Sequence, residues 1–272
     1  MKREINLLRM KSLKLFLCLL VFASMAAAQQ KTIVPIATEH YLLGGVKDGK
    51  WLTAETVEPV LGKKTEMSVV GLKGATKNSV IMNNTGEEYG ACPENKLIKI
   101  ESKIKPDFVV GANASWNIVP RVPKLIAKTD KNYQKIAADF LRTKGIAKSK
   151  IVLNQVIEID LEGDGSKEVI ITGNFYKKGL MEDQTIGDYS FALLRKTVGG
   201  KAKNILIDGE FFTKRGAYDP PNERKILAVA DLNGDGRMEI VLDTSYYEGS
   251  WKQVFEVSGT KLTKVLEASC LV

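Results

Sequence analysis

The chain predicts a mainly β protein of antiparallel four-stranded units with one helix, preceded by an N-terminal β-rich half of uncertain type. Three observations carry that expectation. Short apolar runs separated by Gly and Asp turns fill residues 31–125. One stretch near 131–144 repeats apolar residues at helical spacing. A segment of the C-terminal half recurs without gaps further along the chain.

Composition is that of a folded domain. Of 272 residues, 44 % are apolar and 26 % charged, which excludes disorder as the default. The single His, His40, removes a His-rich metal site and leaves Ser-His-Asp or Cys-His catalysis without support. The formal charge is +8, but no Arg or Lys run is interleaved with aromatics, so nucleic acid is not an expected partner.

The first element is a leader. Lys2, Arg3, Arg9, Lys11 and Lys14 precede the apolar run 15–22, and Ala26, Ala27 and Ala28 close it, as in a secretory signal peptide over 1–28. The run is shorter than the roughly 17–25 apolar residues that span a bilayer, so no transmembrane anchor is expected after cleavage. Met10 opens an equally good signal, so translation can begin at Met1 or Met10. Export to the periplasm or the extracellular space follows. Two cysteines outlast the leader, Cys92 and Cys270. An oxidising compartment can join them as a disulfide; two separate buried thiols are the other reading.

Residues 29–125 form the N-terminal region. Runs at 41–45, 50–52, 67–70, 79–82, 97–100 and 108–110 read as short strands, with Asp48-Gly49 as a turn. From 126 to 272 the pattern changes. Tyr133, Ile136, Ala137, Phe140 and Leu141 mark one face of a helix, Asp130 caps its start and Gly145 stops it. Residues 157–171 then align on 228–242, and Phe175-Tyr176 falls on Tyr246-Tyr247. Each copy offers two more strand-like runs, at 189–194 and 204–207 or at 251–257 and 262–266. The order strand, loop, strand, strand, strand, given twice, suggests propeller-like blades.

The loop inside each copy carries the chemistry. Asp160, Glu162, Asp164 and Glu168 occupy positions 1, 3, 5 and 9 of the first; Asp231, Asn233, Asp235 and Glu239 occupy those of the second. Gly165 and Gly236 at position 6 allow a sharp turn that points alternate oxygens inward. The position 7 carbonyl, from Ser166 or Arg237, adds another oxygen. Hard oxygen donors without Cys or His select Ca²⁺, here at two sites. An EF-hand would need a bidentate Glu at position 12, where Ile171 and Leu242 stand, and its flanks would be helices.

With its closing carboxylate at position 9, the loop resembles the D-x-D-x-D-G-x-x-D/E loop of FG-GAP and VCBS-type repeats, known from the integrin α-chain propeller. The resemblance covers about 150–272. It implies β-hairpins that clasp calcium in a fold used mainly for recognition and adhesion. Only two loops are readable, while a closed propeller needs about four blades or more. The 31–125 half holds either degenerate blades or a separate β-rich module.

Other residues are weaker pointers. Trp51, Trp116, Trp251, Tyr246 and Tyr247 could stack on sugar rings or serve as core. Asp188, Glu210, Asp219 and Glu158 could supply an acid/base pair, but their spacing favours no pairing. His40 reads as a strand-edge or surface residue. Asn83 and Asn113 match glycosylation acceptors, which the bacterial type of the leader sets aside. The expected function is an exported calcium-binding recognition, adhesion or envelope protein, not an enzyme, whose ligand is a protein or a polysaccharide. A secreted polysaccharide-acting hydrolase or lyase with structural calcium is the alternative.

Overall fold

Pairing between distant segments organises the N-terminal half. The computed structural model of the chain describes residues 32–89, 92–103, 106–214 and 220–271. The expected leader at 1–28 lies outside the described residues. Strands β1 (Val34–Thr38), β2 (Leu42–Lys47), β3 (Lys50–Thr53), β4 (Lys64–Gly71), β5 (Gly74–Tyr89), β6 (Cys92–Glu101) and β7 (Phe108–Gly111) form one seven-stranded sheet. Its order is β3-β2-β1-β7-β4-β5-β6, and every pairing is antiparallel. Lys47 pairs with Lys50 across Asp48-Gly49, whose φ values of 54° and 73° give the two-residue turn that suits a twisted hairpin. The half is therefore one sheet and not a pair of further four-stranded units.

After β3 the chain makes a single-turn helix, α1 (Ala54–Val57), and a 3-10 turn at Glu58–Val60. The sequence predicts one helix only. Four residues are too few for an apolar periodicity to show, so α1 leaves no signal beyond its buried Val57.

The expected helix is α2 (Lys131–Thr143). Asp130 caps it by accepting from the N–H groups of Asn132, at 2.9 Å, and Tyr133, at 3.4 Å. Gly145, at φ 82°, ends it, and the Ile146 N–H returns to the Leu141 carbonyl at 2.9 Å. Two meanders follow. Strands β9 (Gln155–Ile159), β10 (Glu168–Phe175), β11 (Tyr189–Val198) and β12 (Lys201–Phe211) make the first, with β8 (Lys124–Leu125) added beside β9. Strands β13 (Glu223–Ala230), β14 (Glu239–Tyr246), β15 (Gly249–Ser258) and β16 (Lys261–Leu271) make the second. Each is an up-and-down sheet of neighbours in sequence, as the repeat predicts.

The residues from Ile33 onward form one compact unit, stacked in layers. In β13 and β14, Ile226, Leu227, Ala228, Val229, Ile240, Val241 and Leu242 all enter a single core, so the second meander is buried on both faces. That core takes Ile170, Ala192 and Leu194 from the first meander, and Ile36, Val46, Phe108 and Val110 from the N-terminal sheet. The other face of the first meander, with Ile171, Phe191 and Leu193, packs on Ala137, Phe140 and Leu141 of α2. The other face of the N-terminal sheet closes over Leu42, Met67, Met82, Val109 and Val57. Each large apolar side chain so buried contributes about 1.5–3 kcal/mol.

Polar contacts lock neighbouring layers. Gln155 uses its amide on the β13 backbone, donating to the Ile226 carbonyl at 3.0 Å and accepting from its N–H at 2.7 Å. The Tyr176 hydroxyl donates to Glu210, Asn222 donates to Glu210 at 2.7 Å, and Arg224 donates to Asp208 at 2.6 Å. Between the N-terminal sheet and the second meander the link is covalent. Cys92 of β6 and Cys270 of β16 stand with sulfurs 1.99 Å apart and Cα atoms 5.4 Å apart. Asn95 donates to the Ser269 carbonyl at 2.6 Å beside them.

Candidate metal centres

The two repeat loops join β9 to β10 and β13 to β14, and they fold alike. Asp160 accepts from the N–H groups of Gly163 and Gly165 at 2.6 and 3.0 Å; Asp231 accepts from Gly234 and Gly236 at 2.7 and 2.9 Å. Asp164 accepts from the Ser166 N–H, and Asp235 from the Arg237 N–H, both at 2.8 Å. Glu168 and Glu239, each opening the second strand, accept from the N–H groups of Leu161 and Leu232 at 2.9 and 2.7 Å. The acids at positions 1 and 9 are buried, while positions 5 and 7 are exposed.

Two features escape the sequence analysis. Position 4 is also glycine, Gly163 and Gly234, with φ of 75° and 80° in the left-handed region. The visible signal is Gly-Asp-Gly in both copies, of which the sequence reading uses only the second glycine, at position 6. The other feature is the linker 112–123, which braces both loops. Arg121 donates to the carbonyls of Asp160 at 2.6 Å, Leu161 at 3.1 Å and Gly236 at 2.8 Å. Trp116 donates to the Asp231 carbonyl at 2.8 Å, and a Cβ at position 234 would lie 3.0 Å from its ring. No periodicity or spacing in the sequence assigns a linker residue to a loop more than a hundred residues away.

The loops differ in charge. Glu162, at position 3, receives the Lys196 ammonium at 2.8 Å and the Arg237 guanidinium. Burial would raise its carboxyl, but those two cations outweigh burial and hold it below the usual carboxylate range. Burial likewise opposes, and the N–H groups of Gly165 and Gly163 with the Arg121 charge overcome it, at Asp160, also held low. Burial pushes Glu168 up. In the second loop the backbone N–H groups of Gly234, Gly236 and Leu232 offset burial only in part. Burial raises Asp231, and with the charges of Asp235, Asp231 and Glu256 it pushes Glu239 up to about 9.

Among the described residues no three of His, Cys, Asp and Glu are drawn together as a ready metal cluster. The loop carboxylates are turned onto backbone N–H groups, where each oxygen keeps a second lone pair. For the second loop the donor chemistry fits a hard divalent cation: oxygens only, and negative charge that no ion pair among the described residues relieves. Asp231, Asn233, Asp235, Glu239 and the Arg237 carbonyl would hold it.

The remaining candidates fall elsewhere. Trp51 donates to Glu256 at 2.6 Å, so it and Trp116 are structural partners of the second loop. Trp251 is half-buried on β15. Tyr246 and Tyr247 meet edge to face, and Tyr247 is exposed beside Met181 and Pro221. Asp188 is fully buried and accepts from the N–H groups of Thr185 and Lys177, which orders its own loop. Glu210 belongs to the network with Tyr176 and Asn222; Glu158 is half-buried on β9, and Asp219 lies outside the described residues. His40 is exposed next to Tyr41. Asn83 and Asn113 donate to the Lys99 and Ile33 carbonyls. Compared with family models, with curated proteins and with solved structures, the chain matches none.

Proposed function

We propose that this is an exported calcium-binding protein of recognition, adhesion or envelope type, with loops of the FG-GAP/VCBS kind. One observation supports the reading above others. Two loops with different residues at positions 3 and 7 keep the same four N–H-to-carboxylate bonds, with the acids at positions 1 and 9 buried. Buried carboxylates cost stability unless charge is supplied, and a divalent cation supplies it. Bound calcium would offset two of the negative charges of the second loop and tie β13 to β14 where they part. The Cys92–Cys270 bridge accords with export to an oxidising compartment.

Extracellular sites of this sort bind with Kd of ~10⁻⁴–10⁻³ M. At about 1 mM Ca²⁺ an occupied site then adds roughly 0.4–1.4 kcal/mol by mass action. The melting temperature is expected to rise with Ca²⁺, fall with chelator, and lose that response in Asp231→Ala. A melting curve indifferent to calcium and chelator would sink the reading. The competing hydrolase or lyase reading needs convergent carboxylates open to substrate. Tyr176, Glu210, Asn222, Arg224 and Asp208 do converge away from the loops. Their bonds run mainly to one another, however, with Asn222 also donating to the Pro220 carbonyl and Asp208 accepting from Thr244, and Tyr176, Asn222 and Arg224 are buried, which suits a strut between meanders. A screen on polysaccharides is expected to show no turnover.

A further inference from the structure

We infer that the two loops are not equivalent: in the first, the Lys196 ammonium takes the place of the cation, and calcium enters only the second. This rests on the calcium reading of the second loop given above. The register of the meanders supplies the comparison. Val169 of β10 pairs with Arg195 of β11, and its repeat counterpart Ile240 of β14 pairs with Phe255 of β15. Lys196 and Glu256 are the next residues along β11 and β15, and their charges act on Glu168 and Glu239 respectively. The same structural position therefore holds a cation in one meander and a carboxylate in the other.

Both side chains reach the position 3 residue of their own loop. Lys196 donates to Glu162 at 2.8 Å, and Glu256 accepts from Asn233 at 3.3 Å. Lys196 is only 3 % exposed, so its charge has left water and is compensated by the loop acids. Arg237, which belongs to the second loop, turns its guanidinium away to the second oxygen of Glu162. The first loop thus gains two cations, and the second sends its own cation out and gains a fourth acid. A divalent ion entering the first loop would have to strip Glu162 from both partners and then sit beside a buried ammonium. The lysine does for the first loop, permanently, what calcium does for the second on demand.

The test is stoichiometry. Calorimetric titration of the purified, disulfide-bonded protein with Ca²⁺ is expected to give one equivalent. Tb³⁺, an oxygen-seeking luminescent substitute, should give one equivalent of tryptophan-sensitised emission, because Trp51 and Trp116 both abut the second loop. Glu256→Lys should weaken binding about tenfold or more, since it sets a positive charge against the ion. Lys196→Met should raise the stoichiometry to two. Should Lys196→Met fail to fold, the wild-type count and Glu256→Lys still decide. Two equivalents in the wild type would overturn the inference and leave the calcium reading standing. No binding at all would overturn both. One equivalent that survives Glu256→Lys undiminished would overturn the inference alone if Asp231→Ala still abolishes binding, and both readings if it does not.

Discussion

At aligned positions of the two meanders Ile171 and Leu242 are both fully buried, yet Ile171 packs with helix α2 while Leu242 lies in the core shared with the N-terminal sheet. The difference teaches what a repeat does and does not encode. Its sequence builds the hairpin ladder and the loop scaffold, which are local. What covers each outward face comes from outside the repeat: a helix for the first, a seven-stranded sheet for the second. A lone meander has two apolar faces and needs both covers. The second meander, as the middle layer, depends on residues from the whole chain. The outward face of the first depends on α2, the helix that precedes it directly in the chain.

Opening the Cys92–Cys270 bridge should strike this comparison hardest. The bridge closes a separation of 178 residues, for which the chain-entropy relation gives about 5 kcal/mol; native bridges usually contribute about 2–5. Cys92→Ser with Cys270→Ser is expected to lower the denaturant midpoint accordingly, with the β16 amides exchanging first. An unchanged midpoint would show that packing and Asn95 alone hold β16 to β6.

Next in size is a matched pair of truncations. Leu242→Ala and Ile171→Ala each remove a fully buried side chain, for which about 2–5 kcal/mol is usual. Leu242 should lie at the upper end, because two hydrogen-bonded sheets cannot close on the cavity. A helix held by side-chain packing can shift toward Ile171 and fill part of it. Equal costs from equilibrium unfolding would mean that α2 is as fixed as a sheet.

Legibility in the sequence follows the same division. The meanders, their loops and α2 were readable because each is written in one contiguous stretch: alternation, an Asp-x-x-x-Asp-Gly turn, a cap. Strands β2 to β7 were visible as apolar runs; β1, at Val34–Thr38, was not among them, and the order of the strands was not legible. Strand β7 pairs with both β1 and β4, and nothing in the sequence of 108–110 names those partners. The loop acids were legible as a set; their inequality was not, since it comes from Lys196 and Glu256, strand residues that register alone brings to the loops. Two cysteines were visible, and only the fold chooses between a bridge and separate thiols.

The smallest effect expected is at the cover of the first meander. Asp130 satisfies two of the N–H groups that the start of α2 would otherwise leave bare, so Asp130→Ala should cost about 0.5–2 kcal/mol. Where that loss falls matters more than its size. The buried face of α2 packs in a cluster drawn from the first meander, with Ile171, Phe191, Leu193 and Tyr189. If the layers open separately, the variant loosens α2 without touching the middle layer. A loss of about 1 kcal/mol then speeds amide exchange at 131–143 roughly fivefold, while amides of β13 to β16 keep the wild-type rate. Asp130→Asn, which still accepts through its side-chain oxygen, should restore most of the protection. Exchange rising equally in both meanders would mean that cover and middle layer open as one, and that the stack is a single cooperative core.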